Sequence, residues 1–305
     1  MPLELIEDAK GDPRNAAALS LASDLAYLPE AEGAEAFRTQ LGMQARLISV
    51  GNTQVYVASN DDHILAAFRG TEAPTTIDGL KDWLLTDAGN LLIVPEGRLG
   101  TDLAAAGVGA RFHQGFVRAI GDVWEPFLEA IESEHKKSER PIWLTGHSLG
   151  GALALLAGWL LRRKFIPVHQ IYTFGGPMIG NDDVVKAFAK EFPDKIFRYV
   201  NSPDPVPKLP TISLIANHYG HCGAETLLGA VAAAAGDAAG GAAATLDLFK
   251  QMAGKAVDGV LNATLIDELW AAITQRIDAH SMTNYRSLVA ALCPQAEVEG
   301  KTERV

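Results

Sequence analysis

The chain has 305 residues, of which 48% are hydrophobic and 21% charged, and a formal net charge of −11. This is the composition of a globular protein with one core or two. An acidic surface excludes the phosphate backbone of nucleic acid as a natural partner and gives no attraction to anionic lipid, although apolar adsorption at a lipid interface stays open. The opening run Met-Pro-Leu-Glu-Leu-Ile-Glu-Asp-Ala-Lys has neither a basic start nor an apolar core. The expectation is therefore a chain without a signal peptide, either cytoplasmic or secreted by another route. No stretch is apolar and charge-free enough to span a bilayer, so a soluble protein is expected. Cys222 and Cys293 stand far apart and outside any C-x-x-C pair, and both two reduced thiols and one disulfide fit them.

Residues 14–26 place Leu19, Leu21 and Leu25 among helix formers and predict a helix, with a second over 31–40. Three strand-like runs follow at 45–50, 53–58 and 63–68, separated by the turn chemistry of Gly51-Asn52 and Asn60-Asp61-Asp62. The stretch 70–112 reads as irregular, with a short apolar helix candidate near Leu80–Leu85. From there the pattern alternates. An amphipathic helix is predicted over 115–136, a strand over 141–145 and an apolar helix over 149–163. A strand over 169–174, a helix over 182–191 and a strand over 195–200 complete the alternation, with Asp182 and Asp183 as caps of that helix. Such alternation, with strands apolar throughout, indicates an α/β fold whose mostly parallel sheet is covered by helices on both faces. Residues 228–244 are almost entirely alanine and glycine, and two amphipathic helix candidates follow them. With no internal repeat and no clear linker, the chain reads as a single domain, 1–305, carrying a helical insertion at 223–275.

Gly146-His147-Ser148-Leu149-Gly150 joins the predicted strand to the apolar helix. A nucleophilic serine needs such a tight turn, and glycines two positions before and after it are required because a side chain there would strike the neighbouring backbone. Alone, the pattern also fits a serine in a purely structural turn. At the helix start, the backbone N–H of Leu149 is available to a developing oxyanion.

The chain resembles the class 3 (fungal-type) lipases of the α/β-hydrolase superfamily. The resemblance covers roughly 15–221 and resumes at His280. It rests on Phe68-Arg69-Gly70-Thr71, His113-Gln114-Gly115-Phe116, the run Thr145–Ala154, the run Thr173–Asn181, Arg198-Tyr199-Val200-Asn201-Ser202-Pro203-Asp204-Pro205-Val206-Pro207, and His280 with Tyr285.

A serine base needs an orienting carboxylate, and in this fold the order is serine, acid, histidine. Asp204 follows the strand 195–200 at its carboxyl end, whereas Asp194 begins that strand and lies at the wrong end. A turn aspartate beside proline is the other reading of Asp204. Order alone permits His218, His221 or His280 as the base. The resemblance implies His280, and implies that His218 and His221 belong to a non-catalytic segment; a paired-histidine metal site there is the alternative. It further implies Thr71 as second oxyanion donor, His113 as a brace and His147 as a residue packed or hydrogen-bonded beside the substrate site. The stretch 74–88, with Trp83 and Leu84, resembles the family's lid; an ordinary core helix fits it as well. The insertion 223–275 is longer than the family pattern and reads either as a cap over an acyl pocket or as a structural elaboration.

The expected function is hydrolysis of acylglycerol or other fatty-acyl esters through Ser148, His280 and Asp204, with no cofactor and no metal. A short-chain or feruloyl-type esterase, a phospholipase or an acyltransferase would use the same triad. A catalytically silent fold that binds lipid or protein is the reading from another class, and the intact triad argues against it.

Overall fold

The computed structural model describes residues 2–71, 92–97, 99–208, 219–229, 271, 274 and 277–293. The candidate lid 74–88, with Trp83 and Leu84, lies outside the described residues. So do His218 and nearly all of the 223–275 insertion.

Two helices open the chain, α1 (Pro13–Leu25) and α2 (Glu30–Leu41). Asp12 caps α1 by accepting from the Arg14 N–H, and Pro13 stands in the first turn, where its missing N–H costs nothing. The strands β1 (Gln44–Val50), β2 (Thr53–Ser59) and β3 (Ile64–Phe68) follow as an antiparallel meander. The region expected to be irregular holds β4 (Leu92–Ile93), a short helix α3 (Gly100–Ala104) and β5 (Phe112–His113). Then come α4 (Gln114–Lys137), β6 (Ile142–His147), α5 (Leu149–Arg163) and β7 (Gln170–Phe174). The two-residue β8 (Gly180–Asn181) leads into α6 (Asp182–Glu191) and β9 (Ile196–Asn201). The last described elements are β10 (Tyr219–Gly220), β11 (Ala224–Leu228) and α7 (Met282–Ala290).

The main sheet has seven strands in the order β1-β2-β3-β6-β7-β9-β11, and every pairing from β3 to β11 is parallel. Successive residues of its central strands point to opposite faces, so each strand feeds two cores. Ile142 and Leu144 of β6 join the apolar cluster under α4 and α5, while Trp143 joins the one under α1, α2 and α7. Burial on both faces explains why these strands are apolar throughout rather than alternating.

Two expectations are corrected. Residues 224–228, assigned to the insertion, form an edge strand parallel to β9. Only Leu228 of that strand is buried, so Ala-Glu-Thr-Leu-Leu carries no alternation to read. Asp182 and Asp183 are not the caps of α6. That cap is Asn181, whose Oδ1 accepts from the Val184 N–H at 3.3 Å and from the Arg111 N–H at 3.0 Å. The aspartates occupy the first turn, where negative charge meets the helix dipole. A small antiparallel sheet, β10-β8-β5-β4, also went unpredicted, because pairs of two residues leave no period.

The sheet and α5 meet at backbone distance. A Cβ added to Gly150 would be driven into the Phe68 carbonyl, and one added to Gly146 into the backbone of Gly150. Backbone cannot swing aside as a side chain does. Gly150→Ala is expected to cost about 3 kcal/mol of stability, read as a lower urea midpoint with an unchanged m value.

Candidate active site

Ser148 stands between β6 and α5 with φ 57° and ψ −130°. An L-residue held there stores about 1–3 kcal/mol of strain, so the surroundings must over-determine it. The Ser148 N–H donates to the Phe174 carbonyl at 2.9 Å, and the Ser148 carbonyl accepts from the Gly151 N–H at 2.9 Å. Beneath the turn, Thr145 and Ser23 of α1 share a buried hydroxyl–hydroxyl bond of 2.9 Å, and Thr145 also donates to the Leu19 carbonyl. Gly70 closes the other side: a Cβ there would come 3.2 Å from the Ser148 Cβ. Thr71, the next residue, therefore lies beside the serine and is half-buried. Leu149 opens α5, so its N–H belongs to the first turn, which has no partner within the helix.

Asp204 is fully buried. A buried carboxylate is tolerated only when its oxygens are satisfied. Oδ1 accepts from the Val206 N–H at 2.9 Å, in a loop stiffened by Pro203, Pro205 and Pro207. Oδ2 accepts from His280 Nδ1 at 2.8 Å and from the Tyr285 hydroxyl at 2.6 Å. That hydroxyl in turn accepts from the Asn201 N–H at 3.0 Å. Burial and the Asp204 charge hold the Tyr285 phenol well above its ordinary pKa, so it remains a donor. Because Nδ1 of His280 donates to the carboxylate, Nε2 carries the lone pair in the neutral ring, and it has no hydrogen-bond partner among the described residues. Gly175 makes room for this cluster: at φ 60°, a Cβ there would come 3.0 Å from Asp204 Oδ2 and 3.1 Å from His280 Cε1.

His147 joins the Ser148 turn to His280. Its ring lies 4.5 Å from that of His280, its Nε2 is 2.7 Å from the His280 carbonyl, and its Nδ1 is 2.8 Å from the Tyr27 hydroxyl. Both ring nitrogens are thus hydrogen-bonded to protein. His113, the expected brace, caps α4 by accepting from the Phe116 N–H and stacks on the Phe116 ring at 4.0 Å. His221 Nε2 donates to the Pro207 carbonyl at 2.6 Å, whereas the ring hydrogen-bonded to Asp204 is that of His280. Among the described residues, no three His, Cys, Asp or Glu side chains group as metal ligands. Cys222 and Cys293 are both free thiols.

The sequence reading missed Tyr27 and Asn201 as parts of this site. Asn201 lay within a motif already quoted, and its Nδ2 donates to the Ala279 carbonyl beside the base at 2.8 Å. Nothing local marks Tyr27; only the packing of α1 across β6 brings it to His147.

Residues 65–214 match the model of the lipase (class 3) family. Over those residues the chain carries the pattern of the class 3 lipases. It is 35% identical over 119 residues to the secreted mono- and diacylglycerol lipase 1 of Fusarium solani, covering 38% of this chain and 34% of that one. It is 28% identical over 160 residues to the chloroplastic phospholipase A(1) DAD1 of Arabidopsis thaliana, covering 50% of this chain and 34% of that one. The chain therefore spans about a third of the length of these relatives. Its fold is that of a solved triacylglycerol lipase whose catalytic centre is formed by a serine-protease triad. That likeness has a TM-score of 0.55 at 22% identity and covers 72% of this chain and 82% of the other. The chain thus has the α/β-hydrolase fold. No helix among its described residues is long and apolar enough to cross a membrane.

Two measurements follow from the buried groups. Tyr285→Phe removes one donor from Asp204 Oδ2 and the acceptor of the Asn201 N–H, at an expected cost of about 1–3 kcal/mol in stability, read by urea denaturation. Burial lowers the pKa of His113 to about 3 and that of His221 to about 4, and holds His147 well below its ordinary value. An unfolded chain protonates all three near pH ~6.5. Their share of stability is intact above that pH and is lost as pH falls below it, down to the folded values. The urea midpoint should drop between pH ~7.5 and ~5, and His221→Gln, which retains a donor toward Pro207, should flatten that dependence.

Proposed function

We propose that the chain is a carboxylester hydrolase of lipase type, acting on fatty-acyl esters through an acyl-enzyme. One observation carries this reading: the His280 imidazole is oriented by a buried carboxylate, has an unpartnered Nε2, and is tied through its own carbonyl to the residue preceding a strained serine. In this reading Nε2 of His280 takes the Ser148 hydroxyl proton as Oγ attacks the ester carbonyl. The carbonyl π electrons move onto oxygen, and the N–H groups of Leu149 and Thr71 receive that oxyanion. Collapse of the tetrahedral intermediate expels the alcohol, which takes the proton from His280 and leaves the acyl group on Ser148 Oγ. Water then repeats the sequence and releases the acid. Asp204 keeps the ring in the required tautomer and stabilises the imidazolium without accepting its proton. No step calls for a metal or a cofactor.

The fatty-acyl class of substrate is supported by the relatives, whose names describe action on mono- and diacylglycerols or as a phospholipase A(1). A phospholipase would use the same three side chains, so the headgroup is a matter for substrate panels.

The test is hydrolysis of p-nitrophenyl esters of increasing acyl length, then of a diacylglycerol and a phosphatidylcholine. Ser148→Ala should lower kcat by about six orders of magnitude and Asp204→Asn by about four. Thr71→Ala should cost about 10²-fold if its hydroxyl assists the amide. Absence of turnover on every ester by the wild-type chain defeats the proposal, and a sharp optimum at short acyl chains moves it from lipase to esterase.

A further inference from the structure

Tyr27 and His147 take no part in the reaction as written above, yet they join its components. The acceptor facing His147 Nε2 is the His280 carbonyl oxygen at 2.7 Å, and a carbonyl only accepts. Nε2 must therefore carry the ring proton. Full burial and the neighbouring His280 ring keep the imidazole uncharged, so Nδ1 is a bare lone pair. The Tyr27 hydroxyl, 2.8 Å from Nδ1, must then be the donor. Bond directions along the string Tyr27 O–H, His147, His280 carbonyl are fixed by its last member.

The same hydroxyl is packed against the oxyanion loop. A Cβ on Gly70 would be driven into the Tyr27 oxygen and would come 2.7 Å from the His147 carbonyl. One phenol thus touches the loop bearing Thr71, the turn bearing Ser148 and, through one imidazole, the backbone of the base. Asp204 holds the His280 ring at Nδ1 and Asn201 holds the preceding Ala279 carbonyl. The His147 bond adds an attachment at the His280 carbonyl itself, the one that ties it to the Ser148 turn.

We propose that Tyr27 and His147 are positioning residues for the acyl transfer. Tyr27 selects the Nε2–H tautomer of His147, and that tautomer anchors the His280 carbonyl so that the base stays in register with Ser148. Without the Tyr27 hydroxyl, the ring is free to adopt the Nδ1–H form, which turns a lone pair toward the carbonyl and pushes the base away. This inference rests on the ester-hydrolase reading for its rate consequences, but not for its tautomer.

The experiment compares wild type, Tyr27→Phe, His147→Phe, the double variant and His147→Gln on a p-nitrophenyl ester. Expected is a kcat lowered about tenfold in Tyr27→Phe and about 100-fold in His147→Phe, with KM within about twofold, because misplacement of a catalytic group acts on the transition state. The double variant should be no slower than His147→Phe, since both substitutions cut one string. His147→Gln, which retains an N–H toward the carbonyl, should recover most of the loss. A long-range ¹H–¹⁵N spectrum at neutral pH should give His147 as Nε2–H in the wild type and as a tautomer mixture in Tyr27→Phe. An unchanged kcat in folded Phe variants overturns the proposal, as do additive losses confined to Tm or an Nδ1–H wild-type ring. Should the wild type hydrolyse no ester, the enzymatic reading falls by itself and the spectrum alone decides the string.

Discussion

The arrangement depends first on how closely α5 approaches the sheet. Ser148 adopts φ 57° only because Gly146, Gly150 and Gly70 let three stretches of backbone meet without a Cβ between them. A strained residue persists when its neighbours leave it no relaxed alternative. Here the neighbours are an apolar helix buried along nearly its whole length and a strand buried on both faces, so the energy that holds the turn is the burial of the core itself. The serine is not placed on the fold afterwards. It lies where the sheet and its best-buried helix join.

The second constraint is the Asp204 carboxylate. At full burial its oxygens are satisfied by hydrogen bonds, and the donors come from widely separated parts of the chain: Val206 beside it, His280 and Tyr285 far beyond. Two of the three are protein groups whose positions do not change during the proposed reaction. They leave the imidazole as the member that moves a proton. The same low dielectric that makes an unpaired carboxylate costly makes the imidazolium–carboxylate attraction strong when charge develops on His280. It also explains why His147, only 4.5 Å away, must stay uncharged: a second cation there would oppose the one that catalysis creates.

Much of this was legible in the sequence, for reasons that differ by residue. The turn at Ser148 is local, and its glycines are demanded by geometry within five positions. Asp204 was legible because strand polarity decides which end of β9 faces the site. His280 was not legible from order, since His218 and His221 satisfied it equally; only the resemblance separated them, and the 2.8 Å bond to Asp204 supports the proposal of His280 as the base. The edge strand β11 was hidden because one buried residue makes no pattern, and the small second sheet because two-residue pairings have no period. Tyr27 was invisible for a stronger reason. A tyrosine after a helix is ordinary until α1 is laid across β6.

That last point changes where the site ends. The matched family stretch, 65–214, contains Ser148, Thr71 and Asp204 but neither Tyr27 nor His280 nor Tyr285. Both flanks meet on one face of the sheet, where α1 and α7 pack together and Arg286 forms an ion pair with Asp24 at 2.6 Å. The helix that follows the base is thus fastened to the helix that precedes Tyr27. Tyr285 donates to Asp204 from one of them and Tyr27 reaches His147 from just beyond the other, so two phenols from distant parts of the chain hold the carboxylate and the imidazole that flank His280. A stretch cut to the central strands would keep Ser148 and Asp204, the proposed nucleophile and acid, yet lose the groups hydrogen-bonded around them. In the proposed reaction the chemistry belongs to three side chains, and their registration belongs to the packing of both flanks against the sheet.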